Sequence, residues 1–182
     1  MPRHSDPEVE GRILKAARKL WHKGGETALS MRAVAKAAGT HTPAVYRRFR
    51  NREQILRALI KDYQRQLVEQ VVPAESPHEI AERILQFALG RPREYQLITS
   101  GLLARMTRER PAVDFVAARV AELMGGTAND HENLILAVWA LVHGMALLQI
   151  SGTLREEDHA RASAAFTQAI RVLIENENSL QA

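Results

Sequence analysis

The stretch LSMRAVAKAAGTHTPAVYRRFRNRE, Leu29 to Glu53, holds two short helical patterns that meet at Ala38-Gly39. In the first, Met31, Val34, Ala35 and Ala38 recur at i, i+3, i+4 and i+7, one apolar stripe of a 3.6-residue helix, and Ser30 stands where an N-cap oxygen accepts an orphan amide hydrogen bond. Gly39 ends it, because a glycine tolerates the left-handed conformation that reverses the chain within a few residues. In the second, Thr40-His41-Thr42 offers capping oxygens, Pro43 fits a first helical turn, and Val45 and Phe49 at i, i+4 point inward. Thr42, Pro43, Ala44, Tyr46 and Arg47 are then expected to face outward, beside Arg48, Arg50 and Arg52. Two short helices at a sharp angle, the second carrying cations on its outer face, predict a helix-turn-helix.

The charge around this stretch fits a polyanionic partner. Residues 1–65 hold 15 Lys/Arg against 6 Asp/Glu, whereas residues 66–182 hold 10 against 15. A basic first third suits double-stranded DNA, since each cation near a phosphate releases a condensed counterion, and an acidic remainder is repelled from the same duplex. A third helix is needed, because two short ones bury too little to stay folded. The periodicity predicts it over 7–23, with Asp6 as cap, Pro7 in the first position, Gly24-Gly25 as the stop, and Leu20 and Trp21 packed against Val34, Val45 and Phe49. A long helix from about Asn51 carries Ile55, Leu56, Leu59, Ile60, Tyr63 and Leu67 up to Pro73. The composition break PAESP places a domain boundary around Leu67 to Ser76, giving a DNA-binding domain over 1–66 and a second domain over 67–182 bridged by that helix.

The run AKAAGTHTPAVYRRFRNREQIL resembles the DNA-binding signature of the TetR (tetracycline repressor) family of bacterial transcription regulators: A-x-x-A-G, a small recognition helix ending in Tyr-x-x-Phe, then a basic-acidic start to the next helix. The resemblance covers roughly residues 8 to 62. It departs where Thr40 and His41 stand for a hydrophobic residue and Ser, and where Arg52 stands for Lys. It implies that Tyr46 contacts phosphate, as do Ser30 and Arg52. Guanidinium geometry adds Arg32 and Arg47 as readers of guanine edges, and Thr42, Pro43, Ala44 and His41 complete the expected DNA-binding set.

Beyond the boundary the sequence stays helical. Ser76-Pro77-His78-Glu79 reads as a capping box opening a helix through Leu89, Gly90-Arg91-Pro92 breaks it, a helix resumes over Glu94 to Thr107, and another runs from Pro111 to Gly125-Gly126. No stretch alternates with period two over strand length, so the fold class is all-α. From Ile135 to Ile150 only His143, Gly144 and Gln149 are not apolar, so this helix requires cover on more than one side; it falls short of the ~20 residues of a membrane span and is flanked by charge. The last helix, about Glu157 to Glu175, places Ala162, Ala165, Phe166, Ala169, Ile170, Leu173 and Ile174 on one face. Two such helices from each of two subunits predict a four-helix homodimer interface, which would set paired heads on a palindromic operator with half-sites ~34 Å apart.

Trp139-Ala140-Leu141-Val142-His143-Gly144 resembles the regulatory domain of a TetR subgroup named for its Trp, His and Gly, as does FALGRPREYQLI with Pro92 and Tyr95. That resemblance implies dimerisation and an effector cavity, for which Phe87, Tyr95, Met106, Phe115, Trp139, His143 and Leu147 are the candidate lining. The chain has no cysteine, and its seven histidines lie nowhere at i, i+4 from one another, so no thiolate or H-E-x-x-H metal site is written in it. No catalytic constellation or phosphate-cradling loop stands out, and no cofactor, metal or enzymatic activity is expected. The segment MPRHSDPEVEGR lacks the apolar core of a signal peptide, so a cytoplasmic protein is expected. The expected function is a repressor released from DNA by a small apolar effector; the alternative is a ligand-binding or scaffold protein whose helix-turn-helix no longer binds DNA.

Overall fold

The computed structural model describes residues 7–101 and 110–180, and among these it is helical without strands. The α-helices are α1 (Pro7–Ala28), α2 (Met31–Ala37), α3 (Thr42–Arg48), α4 (Arg52–Val71), α5 (Pro77–Gly90), α6 (Pro92–Thr99), α7 (Pro111–Met124), α8 (Glu132–Ile150) and α9 (His159–Glu175), with short 3₁₀ turns before α8, before α9 and after α9. The expected cap Asp6 lies outside the described residues. Gly24-Gly25 does not stop α1: Gly25 takes φ 59°, ψ −137°, a kink only glycine adopts cheaply, and helical turns resume to Ala28. The helix resumed after Arg91 starts at Pro92, earlier than Glu94, and closes at Thr99, where Gly101 has φ 70°; Thr107 lies outside the described residues.

The chain forms two compact units that interleave in sequence. One takes the residues up to Tyr63 and regains the chain at Arg93; the other takes Gln64–Pro92 and the later helices. A single cut at residue 66 therefore misses the return of α6 to the N-terminal unit. The reason is a set of polar ties between the end of α1 and the start of α6. Trp21 Nε1 donates to the Arg93 carbonyl (3.1 Å), the Arg93 guanidinium donates to the His22 carbonyl (2.6 Å), and His22 Nδ1 pairs with the buried Glu94 carboxylate (3.1 Å). Apolar packing completes the attachment, because Leu97 joins Ile13, Ala17, Trp21, Val34, Val45, Phe49, Ile55, Leu59 and Ile60 in one core.

Within the C-terminal unit, two apolar clusters hold the helices. Val71, Ala74, Ile80 and Val120 pack with Phe115, Leu123 and Ile135; Ala81, Val142, Phe166 and Ile170 pack with Leu85, Val138, Leu141 and Ile174. Helix α5 thus faces α7, α8 and α9 together. Ser76 Oγ accepts from Glu79 N–H at 3.2 Å as its sequence predicts, but Glu79 reaches back to the amide of Glu75, one residue before the cap. Two guanidiniums close the C-terminal end of α4: Arg83 donates to the Gln70 carbonyl (3.3 Å) and Arg119 to the Ala74 carbonyl (2.7 Å), cations where the helix dipole favours them.

Helix α8 is covered on one side only. Leu134, Val142 and Ala146 are buried, whereas Leu136 (56% exposed), Trp139 (48%), Leu147 (41%) and Leu148 (43%) stand open in the single chain, with Val172 of α9 also exposed. The expectation of cover on more than one side is met on the inner face alone, where Leu134, Ile135, Val138, Leu141, Val142, Met145 and Ala146 are buried or packed against the other helices. The segment Ala128–Ile150 is long and apolar enough to cross a membrane by length and composition.

Candidate DNA-binding site

Local hydrogen bonds set the helix ends of the reading head. Ser30 Oγ accepts from Ala33 N–H at 3.1 Å and starts α2. At its end Thr40 N–H reaches the Ala35 carbonyl (3.0 Å) and Gly39 N–H the Lys36 carbonyl (3.3 Å), the paired bonds of a Schellman ending, with Gly39 at φ 63°. The chain then enters α3 through His41. Here the cap is not an oxygen: His41 Nδ1 accepts from Ala44 N–H at 3.1 Å, which leaves Nε2 to carry the ring proton in the neutral form. After α3, Asn51 Oδ1 accepts from Gln54 N–H (3.0 Å) and Gln54 Oε1 accepts from Arg50 N–H (2.8 Å), so α4 begins within a few residues of the recognition helix.

Packing then sorts the side chains. Val45 and Phe49 are buried as expected, and so is Ala44, at 6% exposure. Ala44 therefore does not face outward: positions 44, 45 and 49 form the buried side of α3 and its C-cap, wider than the pair Val45 and Phe49. Arg48 lies beside them, half-buried, its side chain 15% exposed and 4.0 Å from Glu10 of α1. His41, Pro43, Tyr46 and Arg47 are exposed, Thr42 is half-buried, and Ser30, Arg32 and Lys36 are exposed on and around α2. Among the described residues, Arg32, Lys36, Arg47 and Arg50 carry no ion pair. Arg52 does, with Glu26 of the resumed end of α1. Lys36 and Arg50 were outside the expected set, although both lie in the basic stretch. Glu26 could not have been found by periodicity, being 26 residues from its partner.

A two-helix head with a capped recognition helix and unpaired cations on its exposed surface is suited to a duplex. The family profile described as bacterial regulatory proteins, tetR family, matches residues 13–59, and that described as tetracyclin repressor-like, C-terminal domain, matches residues 78–173, over half the chain.

The chain belongs to the TetR family.

It is a ligand-responsive, sequence-specific DNA-binding transcriptional regulator, and the family is one of regulators rather than enzymes, whose members bind DNA and small-molecule effectors as dimers. The fold is similar to that of TetR from Acinetobacter baumannii AYE (20% identity, TM-score 0.67, 94% of this chain and 97% of that chain). It is also similar to the multidrug binding protein EbrR complexed with ethidium (22%, 0.65, 93% and 99%) and to Mycobacterium smegmatis BioQ (19%, 0.61, 91% and 95%). No curated protein sequence matches the chain.

The residues expected to line an effector cavity have different surroundings. Phe87 is buried with the Arg91 guanidinium 5.5 Å from its ring centre, and Phe115 is half-buried against Val71 and Val120. Tyr95 is buried in the segment that belongs with the N-terminal unit, and burial pushes its hydroxyl up to about 12. Met106 lies outside the described residues. Trp139 and Leu147 stand on the open face of α8 rather than facing inward, with the half-buried His143 ring 6.4 Å from that of Trp139. Residues 139, 143 and 147 repeat every four positions, so one face carries all three, and it is the face the chain itself leaves uncovered. Among the described residues no group of His, Cys, Asp and Glu is placed to hold a metal ion.

Proposed function

We propose that this TetR-family regulator is a homodimeric repressor of a palindromic operator, read by the α2–α3 heads and released by a small apolar effector. The observation that carries the DNA half is the exposed set Arg32, Tyr46 and Arg47, with Ser30, His41, Thr42, Pro43 and Arg52 around it. Arg32 and Arg47 read guanine edges; Tyr46 and Arg52 hold phosphate and set the register. The dimer half is supported by the open apolar face of α8, Leu136, Trp139, Leu147 and Leu148, with Val172 of α9. Such a face from two copies, packed about a two-fold axis, buries what one copy exposes. Trp139, His143 and Leu147 serve this interface, and the effector site belongs to the C-terminal unit, with Phe87 and Phe115 among its apolar walls.

Release follows from a two-state shift in which effector binds better to the arrangement whose heads no longer match the half-site spacing. A hundredfold loss of occupancy requires ~2.7 kcal/mol of differential affinity. Selection of bound duplexes from a random DNA pool, with sedimentation of the free protein, tests the reading. It expects a dyad-symmetric consensus and a dimer; selected sequences without dyad symmetry, or a monomer indifferent to DNA at low salt, overturn it. The scaffold alternative is met if Arg47→Ala leaves duplex binding unchanged.

A further inference from the structure

Among the exposed cations of the reading head, Arg52 differs from Arg32, Arg47 and Arg50 in being held by a carboxylate. Its Nη2 donates to Glu26 Oε1, the carboxylate being 74% exposed and the Arg52 side chain 37%. The contact depends on the kink at Gly25, after which the resumed end of α1 carries Glu26 to the start of α4. Arg52 Nε is buried without a hydrogen-bond partner among the described residues. The Nη1–Nη2 edge is therefore the one open to a phosphate, and one of its two nitrogens, Nη2, is already held by Glu26. A guanidinium grips phosphate best with two parallel N–H bonds, so a full grip by Arg52 requires Glu26 to let go.

We propose that Glu26 is an internal counter-ion that competes with DNA phosphate for Arg52 and so restrains the sequence-independent part of DNA affinity. This rests on the reading above that Arg52 contacts phosphate. An exposed ion pair is weak enough to be exchanged for a phosphate contact, so the restraint is graded rather than absolute. Once displaced, the Glu26 carboxylate regains counter-cations, which offsets part of the release that Arg52 produces on the duplex. Glu26 thereby lowers both the affinity and its salt dependence.

The test uses the full-length protein and a fluorescein-labelled duplex of mixed sequence, titrated across a range of salt concentrations. Glu26→Gln removes the charge and keeps the shape. It is expected to tighten binding roughly fivefold at low salt, the scale of a released surface pair, and to steepen the slope of log K against log salt by up to ~0.9. In an Arg52→Ala background, itself weaker, Glu26→Gln should give almost no gain. If Arg52→Ala weakens binding while Glu26→Gln leaves it unchanged or weaker, Arg52 is a phosphate contact but Glu26 is not its competitor, and the proposal is overturned. If Arg52→Ala is without effect, the Arg52 reading itself fails and the proposal falls with it. A gain from Glu26→Gln that persists undiminished without Arg52 also overturns it, because the carboxylate then acts by general repulsion. Circular dichroism melts of each variant confirm that a folded head is being compared.

Discussion

His41 shows how a single side chain sets the recognition helix. Its Nδ1 does the work that a serine oxygen does at the start of α2, so His41→Ala leaves the Ala44 amide without that partner. The expected cost is about 1 kcal/mol, read as a lower thermal midpoint with weaker operator binding, and His41→Asn should restore most of both. Arg47 has a different signature. It is exposed on α3 and free of ion pairs among the described residues, so Arg47→Ala should leave thermal stability unchanged, lower duplex affinity and flatten the salt slope by ~0.9 per lost phosphate contact. If Arg47 instead reads a guanine edge, the loss will be confined to the cognate sequence at about 1–3 kcal/mol and the slope will hold. The outward position of Arg47 was legible in the sequence because it depends on neighbours within a few positions; the His41 cap was not, since the sequence suggested oxygens there and the structure uses a ring nitrogen. Ala44 was not: its burial is decided by how wide a side of α3 the tertiary packing covers.

At the scale of elements, His131 ties three of them. It sits in the 3₁₀ turn before α8 with Nε2 2.7 Å from the Gly125 carbonyl at the end of α7 and Nδ1 2.6 Å from Glu177 beyond α9. Two acceptors facing both ring nitrogens favour the doubly protonated ring, and its pKa is raised above 6.5, first by the Gly125 carbonyl and then by Glu177. A raised folded-state value means that this tie contributes fully below pH 6.5 and is lost as pH climbs through the raised value. Thermal melting of the protein should therefore decline over that window, and Glu177→Gln should shrink the decline; a wild-type midpoint indifferent to pH there contradicts it. Helix α6 teaches a related lesson. The break before it was signalled by Gly90-Arg91-Pro92, but its return to α1 rests on Trp21, His22, Arg93 and Glu94 meeting across 71 or 72 positions. No local pattern records such a meeting.

For the whole molecule, the open face of α8 carries the clearest expectation. Leu136 is 56% exposed with an apolar neighbourhood, so Leu136→Glu should cost the single chain little and shift the protein from dimer to monomer in sedimentation. Operator affinity should then fall steeply while binding to a single half-site persists weakly. A Leu136→Glu protein that remains dimeric would place the interface elsewhere. What the chain determined alone was periodicity, caps and charge: nearly every helix, the turn at Gly39, the cationic head and the all-α class, because each is written in residues at most one or two helical turns apart. Which stripe of a helix is covered, that α6 belongs with α1, and that Glu26 holds Arg52 were decided only by tertiary structure, because they depend on groups that become neighbours once distant segments pack.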